Sequence, residues 1–324
     1  MDETDGVAGC CGGDAKQMNG VETPTRSIEQ PGPRVEGKED VGCCGDPEAA
    51  VRQRYSKAAQ EREAALCCPV DYDPRYLDAI PAEVIQRDYG CGNPSAWLGE
   101  GDTCLDLGSG AGKICFIASQ IVGPKGRVIG VDSNAEMLDL ARWAAPILAE
   151  RIGYANVEFL DGRIQDLSLD PRAAAEYLAE HPVTNPSGFL EFEGFVARQR
   201  YERPLIADAS VDVVLSNCVL NLVRHEEKKT LFSEIYRVTK PGGRAVIADI
   251  ASSRDVPAAM QRDPELWSGC ISGALEETRF LTAFADAGFE EVKVLDRSDA
   301  PWRVVEGIEF RSLTVEARRA TAES

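Results

Sequence analysis

The nine residues Cys104-Leu105-Asp106-Leu107-Gly108-Ser109-Gly110-Ala111-Gly112 constrain this chain more than any other stretch. Thr103 to Leu107 is an apolar run of strand length that carries an acid and then breaks into three glycines spaced two apart. Without Cβ atoms, a glycine turn between a strand and a helix lets backbone N–H groups approach a ligand closely. The next helix is expected from about Lys113 to Ile121, and Arg127 to Val131 reads as a second strand ending in Asp132. An acid at the tip of a second strand is where nucleotide-type cofactors have their ribose hydroxyls held.

The spacing narrows the cofactor. A dinucleotide fingerprint is G-x-G-x-x-G, and here the third glycine arrives one residue early, with Lys113 in its expected place. Asp106, two residues before the first glycine, would face a pyrophosphate with like charge. It suits a ligand with an ammonium group and a ribose, which describes S-adenosylmethionine. The stretch D-x-G-x-G-x-G resembles the first motif of class I methyltransferases; a nicotinamide enzyme is the weaker reading. An ordinary tight turn does not account for both Asp106 and Asp132.

At 324 residues with 44% hydrophobic content, the chain is long enough for one large α/β domain and an appendage. A net charge of -19 argues against nucleic acid, which draws on clustered Lys and Arg. No signal-type apolar region or membrane-length run occurs, so a cytoplasmic location without membrane partners is expected. Eleven cysteines in that compartment are not a disulfide framework, and metalloid binding, redox chemistry or burial must explain them.

Residues 1–47 are poor in large apolar side chains and are expected to form a disordered tail, in which Gly9-Cys10-Cys11-Gly12 is echoed by Gly42-Cys43-Cys44-Gly45. A helical, thiol-bearing segment at 48–100 should precede the cofactor domain at 101–318, with a short tail at 319–324. A helix is expected from Pro47 to Leu66, stopping at Cys67-Cys68-Pro69, and a loop at Tyr89 to Pro94. Ser133 and Glu136 read as a capping box, and Pro146 as a kink or end of the helix they open. A helical insertion at about 170–208 is followed by a buried strand, Val211 to Ser216. Then come a helix from Glu226, a Lys240-Pro241-Gly242-Gly243 turn, a strand from Arg244 to Asp249, a helical Asp263 to Cys270, and two closing strands. The expected fold is a doubly wound, seven-stranded class I methyltransferase (Rossmann-like) sheet with an antiparallel last strand.

Cysteines follow the strand ends. Cys218 lies just past the fourth strand, Cys91 in a loop before the first, and Cys270 after the fifth, all able to reach the rim where an open α/β sheet binds ligands. The loop setting of Cys91 argues against core filling. Cys104 and Cys115 read as packed core thiols. No C-x-x-C spacing points to zinc, and His181 and His225 are the only histidines, read as a surface residue and a solvated cap. Trivalent arsenic, by contrast, takes three thiolates in a pyramid and keeps a lone pair.

Tyr-Gly-Cys-Gly at 89–92, Ser-Asn-Cys-Val-Leu-Asn-Leu at 216–222 and Trp-Ser-Gly-Cys-Ile-Ser-Gly-Ala-Leu at 267–275 resemble the signature segments of arsenite S-adenosylmethionine methyltransferases, over roughly residues 50–318. The resemblance implies that Cys91, Cys218 and Cys270 bind arsenic and that Cys67 or Cys68 joins a disulfide during turnover. It implies that Asp106, Gly108, Ser109, Gly110, Asp132 and Ser133 hold S-adenosyl-L-methionine, with Met137 and Ile164 at the adenine and Asn217 near the methionine portion. It further implies arsenite or its thiol conjugates as substrate and a thiol reductant, thioredoxin or glutathione, as partner. The sequence departs from the family at Lys113-Ile114-Cys115, at Arg163 where many class I enzymes have an acid, and in lacking after the last strand the domain many members carry. A methyltransferase of an organic molecule and a metalloid-binding protein without catalysis are the alternatives.

Overall fold

The structure is a computed structural model and describes residues 47–61, 63, 70–87 and 89–321. The vicinal cysteine pairs at 10/11 and 43/44, and Cys67 and Cys68, lie outside these residues.

Helix α1 (Pro47–Gln60) starts at its proline, and the expected end at Leu66 lies outside the described residues. Arg87 donates to the Gln60 carbonyl at 3.1 Å, and the Glu63 N–H donates to the Tyr89 hydroxyl at 3.1 Å. Two short helices, α2 (Pro74–Leu77) and α3 (Ala82–Gln86), lead to a loop carrying Cys91. The alternating domain then runs β1 (Thr103–Leu107), α4 (Lys113–Val122), β2 (Arg127–Asp132), α5 (Ala135–Ile152) and β3 (Val157–Asp161). Asn134, rather than Ser133, caps α5, accepting from the Met137 N–H at 3.0 Å. Pro146 does not end α5 either. Its ring removes one bond of the helical ladder, while Ala141, Ala144 and Leu148 stay buried on the same helix, which continues to Ile152.

The insertion forms α6 (Pro171–Glu180) and α7 (Pro186–Glu202), joined by Tyr177 stacked on Phe195 at 4.2 Å. Then follow β4 (Val211–Asn217), α8 (His225–Val238), β5 (Thr239–Ser252), α9 (Ala258–Gln261), α10 (Pro264–Ser268), α11 (Glu277–Ala287), β6 (Glu291–Arg297), β7 (Arg303–Val305) and β8 (Ile308–Arg318). Lys240 to Gly243 belongs to β5 instead of preceding it. Thr239 already pairs with Val211 across a bulge, and the N–H of Gly242, at φ +79°, reaches the Arg319 and Ala320 carbonyls. The stretch expected as one helix from Asp263 to Cys270 is α10 alone, and Cys270 lies past its end.

The sheet order is β3-β2-β1-β4-β5-β8-β6, with β7 paired to β8. Five strands are parallel, and β8 runs antiparallel to β5, β6 and β7. Eight strands stand where seven were expected, the addition being the three-residue β7. Buried side chains cover both faces, Leu105 and Leu107 on one and Cys104 and Leu215 on the other, as a two-sided parallel sheet requires. Strand order reverses between β1 and β4, which opens a crevice beyond their carboxyl ends. No helix among the described residues is long and apolar enough to cross a membrane.

Candidate functional site

The crevice is a cavity of about 410 Å³, within the range of small-molecule sites. Asp106, Gly108, Ser109, Gly110, Asp132 and Ser133 line one wall; Met137, Ile164, Asn217 and Cys218 also face it. Helix α1 roofs it through Glu48, Val51, Arg52 and Tyr55. Arg163, past the end of β3, pairs with Glu48 of α1 at 3.2 Å and Glu227 of α8 at 3.1 Å across the rim.

The glycine turn works differently from a phosphate cradle. The N–H groups of Gly108 and Ser109 donate to the Val131 carbonyl at 2.8 and 3.1 Å, and that of Gly110 to Asp132 Oδ2 at 2.8 Å. These donors are committed inside the protein, so the turn supplies space and not a nest for pyrophosphate. A Cβ on Gly108, at φ +72°, would lie 2.4 Å from Val219, which keeps this wall bare. Asp132 Oδ1 accepts from the Asn134 N–H at 2.8 Å, and the carboxylate keeps lone-pair capacity for a ribose hydroxyl. Burial pushes the Asp132 carboxyl up, and the N–H groups of Asn134, Gly110 and Ser133 pull it back down. Ser109 Oγ is buried against the cavity with no hydrogen-bond partner, an orphan that a polar ligand would satisfy. Two pocket acids, an orphan hydroxyl and an apolar floor of Met137 and Ile164 fit S-adenosylmethionine.

The three thiols expected at the rim come together. Cys91, Cys218 and Cys270 share one buried cluster, each no more than 6% exposed. Cys270 Sγ donates to the Cys218 carbonyl at 3.3 Å, and the Tyr55 hydroxyl lies 4.0 Å from Cys270 Sγ. The loop around Cys91 does not leave its thiol exposed, because Ser312 of β8 and Asn217 of β4 pull that loop onto the sheet. Cys218 and Cys270 have φ of +63° and +61°, left-handed backbone that non-glycine residues enter at a cost of about 1–3 kcal/mol and that concentrates at functional sites. Burial pushes the Cys91 thiol up, against hydrogen bonds from Cys218 and Ser312; Cys218 is held well above its ordinary value by hydrogen bonds to Cys270 and Cys91, then by burial. Cys104 and Cys115 are buried elsewhere in the core, Cys115 donating to Asp106 Oδ2 at 3.2 Å.

The family described as Methyltransferase domain matches residues 98–177 and 190–288, more than half of the chain. The chain belongs to this methyltransferase family. The break in the match falls within the helical insertion. This methyltransferase is similar to an arsenite methyltransferase of Halobacterium salinarum, 32% identical over 86% of the chain and 62% of that protein. It is also similar to one of Aquipseudomonas alcaligenes, 32% identical over 76% of the chain and 63% of that protein. The chain thus spans about three fifths of the length of these curated relatives. Among solved structures it is similar to an arsenic (III) S-adenosylmethionine methyltransferase from Chlamydomonas reinhardtii, with 27% identity, a TM-score of 0.61, and coverage of 79% of this chain and 76% of that one.

Asn217 ties the two halves of the methyltransferase site together. Its Oδ1 accepts from the N–H groups of Cys91 at 2.9 Å and Gly92 at 3.1 Å, while Nδ2 donates to the Gly92 carbonyl at 2.8 Å. Gly90 lets this side chain pass, since a Cβ there would sit 2.1 Å from Nδ2. Asn217→Ala strands two N–H groups, each costing about 1–3 kcal/mol when buried and unpaired. We expect a stability loss of about 2–4 kcal/mol by denaturant unfolding. An unchanged unfolding midpoint contradicts that role.

Two buried charges were not found from sequence. Asp249, near the end of β5, accepts from the Ile250 N–H at 2.7 Å and the Asn221 N–H at 3.3 Å, and burial raises its carboxyl to about 6. Lys228 of α8 donates to the Leu220 carbonyl at 2.6 Å, and burial lowers it to about 8. Each occupies an ordinary place in sequence, Lys228 in the charged first turns of an amphipathic helix and Asp249 inside a strand, so only the tertiary packing reveals them. His225 also departs from its expected solvated role. It packs edge-on against Trp267 at 5.6 Å, a buried wall residue whose Nε1 donates to the Leu222 carbonyl, and burial lowers its pKa.

Proposed function

We propose that the protein methylates thiol-bound trivalent arsenic with S-adenosylmethionine, acting in the cytoplasm. The observation that carries this reading is the convergence of Cys91, Cys218 and Cys270 at one end of a cavity lined by Asp106 and Asp132. The shared name of the similar proteins supports it.

Asp132 would hold the ribose hydroxyls, Asp106 and Ser109 the methionine end, and Met137 and Ile164 the adenine. When bound, S-adenosylmethionine supplies a sulfonium methyl group, to which thiol-held arsenic offers its lone pair. The chain's own contribution is placement. Three thiols from separate segments fix the arsenic atom, and Cys218, shared by the cluster and the cavity wall, sets its distance from the cofactor. A positioned histidine is unnecessary, because no proton leaves the nucleophile. Methylation oxidises the arsenic by two electrons, which a thiol reductant such as thioredoxin or glutathione must return, with Cys67 or Cys68 as the disulfide partner.

Capture itself is a condensation. Arsenous acid and three thiols give a tris-thiolate and three waters, so protonated thiols release no net proton. Since Cys91 and Cys218 are both raised, they enter as thiols. The affinity for arsenite is therefore expected to change by less than about twofold between about pH 6 and pH 8. A site holding one thiol already ionised would take up a proton on capture and weaken by up to about tenfold per pH unit. Titration of arsenic–sulfur absorbance at several pH values checks this.

Incubation with arsenite, S-adenosylmethionine and glutathione should yield methylated arsenicals by mass spectrometry. Arsenite bound at one equivalent but never methylated would reduce the protein to a metalloid binder. Cofactor turnover without arsenic would point to an organic acceptor.

A further inference from the structure

We propose that the thiol cluster is also a tetrahedral site for one soft divalent cation, Cd2+ or Zn2+, with Asp249 as an oxygen ligand beside Cys91, Cys218 and Cys270. The inference rests on the reading of these thiols as one ligand set, and adds to it a donor that arsenic does not need.

One ligand atom each from Cys91, Cys218 and Asp249 already lie within 4.8 Å of one another, all three residues buried. A tetrahedral zinc ion with Zn–S of about 2.3 Å spaces its sulfurs about 3.8 Å apart, so these donors need shifts of about an ångström. Cys270, which hydrogen-bonds with Cys218, lies outside that group of three and must approach further to supply the fourth corner. Trivalent arsenic uses three donors and fills its remaining direction with a lone pair. A d10 divalent ion has no lone pair and takes four donors, which gives the carboxylate a use in one case and none in the other. Three thiolates and a carboxylate around a 2+ ion leave two negative charges, and the buried Lys228 ammonium is placed to act on both Asp249 and Cys270. The Asn221 and Ile250 N–H groups hold one carboxylate oxygen each, as outer-shell donors do for metal-ligating carboxylates. Such an ion occupies the arsenic ligands, so it is a competitive inhibitor with respect to arsenite.

The test uses the full-length chain with Cys10, Cys11, Cys43, Cys44, Cys67 and Cys68 replaced by serine, titrated with Cd2+ and followed by sulfur-to-cadmium absorbance and by cadmium-113 resonance. The expected result is one Cd2+ per chain, displaced by arsenite, with a chemical shift of a three-sulfur, one-oxygen environment. Asp249→Asn should weaken Cd2+ at least about tenfold more than it weakens arsenite, and Asp249→Cys should move the resonance to an all-sulfur position. Absence of stoichiometric Cd2+ binding, a two-sulfur shift in the parent chain, or equal losses for Cd2+ and arsenite in Asp249→Asn overturns the proposal. The parent shift decides even where both variants fail to fold. Cd2+ bound as expected, while the unsubstituted chain with all its cysteines never methylates arsenic, would sink the proposed function and leave this site standing.

Discussion

Cys218→Ser is expected to lower kcat/KM for arsenite by at least about a thousandfold, a loss of about 4 kcal/mol of transition-state stabilisation, while the Kd for S-adenosylmethionine stays within about twofold. Cys218 is the thiol common to both parts of the site. It borders the cavity and also hydrogen-bonds with Cys91 and Cys270, the two thiols behind it. A serine hydroxyl is hard and stays protonated, so the soft three-donor pyramid falls to two sulfurs and the arsenic loses its fixed position. Position is what this reaction needs most, because a misplacement of about 1 Å costs on the order of a hundredfold even where all groups remain. On the proposed assignment the cofactor would see little change, since Asp106, Ser109 and Asp132, which would hold it, line the other wall. Isothermal titration for the cofactor, combined with arsenic speciation by mass spectrometry, separates the two effects. Retention of full methylation in Cys218→Ser would falsify the assignment of these thiols as the arsenic site. Cys115→Ser is the matched control: a buried thiol outside the cluster, whose loss should act on stability and not on arsenic.

Much of this site could be read in the sequence because its parts are local signals at strand ends. The glycine turn, Asp132 and the step from β4 into Cys218 each follow a short apolar run, and the α/β topology carries every such end to the same edge. The parts that were missed depend on partners far along the chain. Burial of Cys91 comes from Asn217 and Ser312, 126 and 221 residues away, so a loop rich in glycine and proline gave no sign of it. Asp249 and Lys228 become buried charges only when β5 and α8 pack together. The missed strand β7 has three residues and turns into β8 through Glu306 and Gly307, both with positive φ, a two-residue hairpin turn in which glutamate replaces the more familiar asparagine or aspartate. The cap of α5 was misplaced by one residue, because Asp132 takes the Asn134 N–H and so leaves Asn134 at the cap position.

Gly273→Ala should do nearly as much harm from outside the thiol cluster. A Cβ at Gly273 would fall 1.8 Å from the Asn221 carbonyl oxygen and 2.8 Å from its carbon, backbone atoms that cannot rotate away. Asn221 is itself pinned, its N–H to Asp249 and its side-chain amide to the carbonyls of Ile250 at 2.6 Å and Cys270 at 3.3 Å. Pushing Asn221 aside therefore moves the Cys270 backbone, already held in its left-handed conformation, and with it the third sulfur. Overpacking of a close-packed interior costs about 1–3 kcal/mol or more, and contact with fixed backbone puts this change at the upper end. A fall in Tm of about 5–10 °C is expected for a domain of this size, with arsenite affinity reduced and the cofactor Kd nearly unchanged in the folded fraction. A variant that melts with the parent protein and binds arsenite as tightly would show that the loop after α10 can yield, and that Cys270 does not depend on Gly273 for its position.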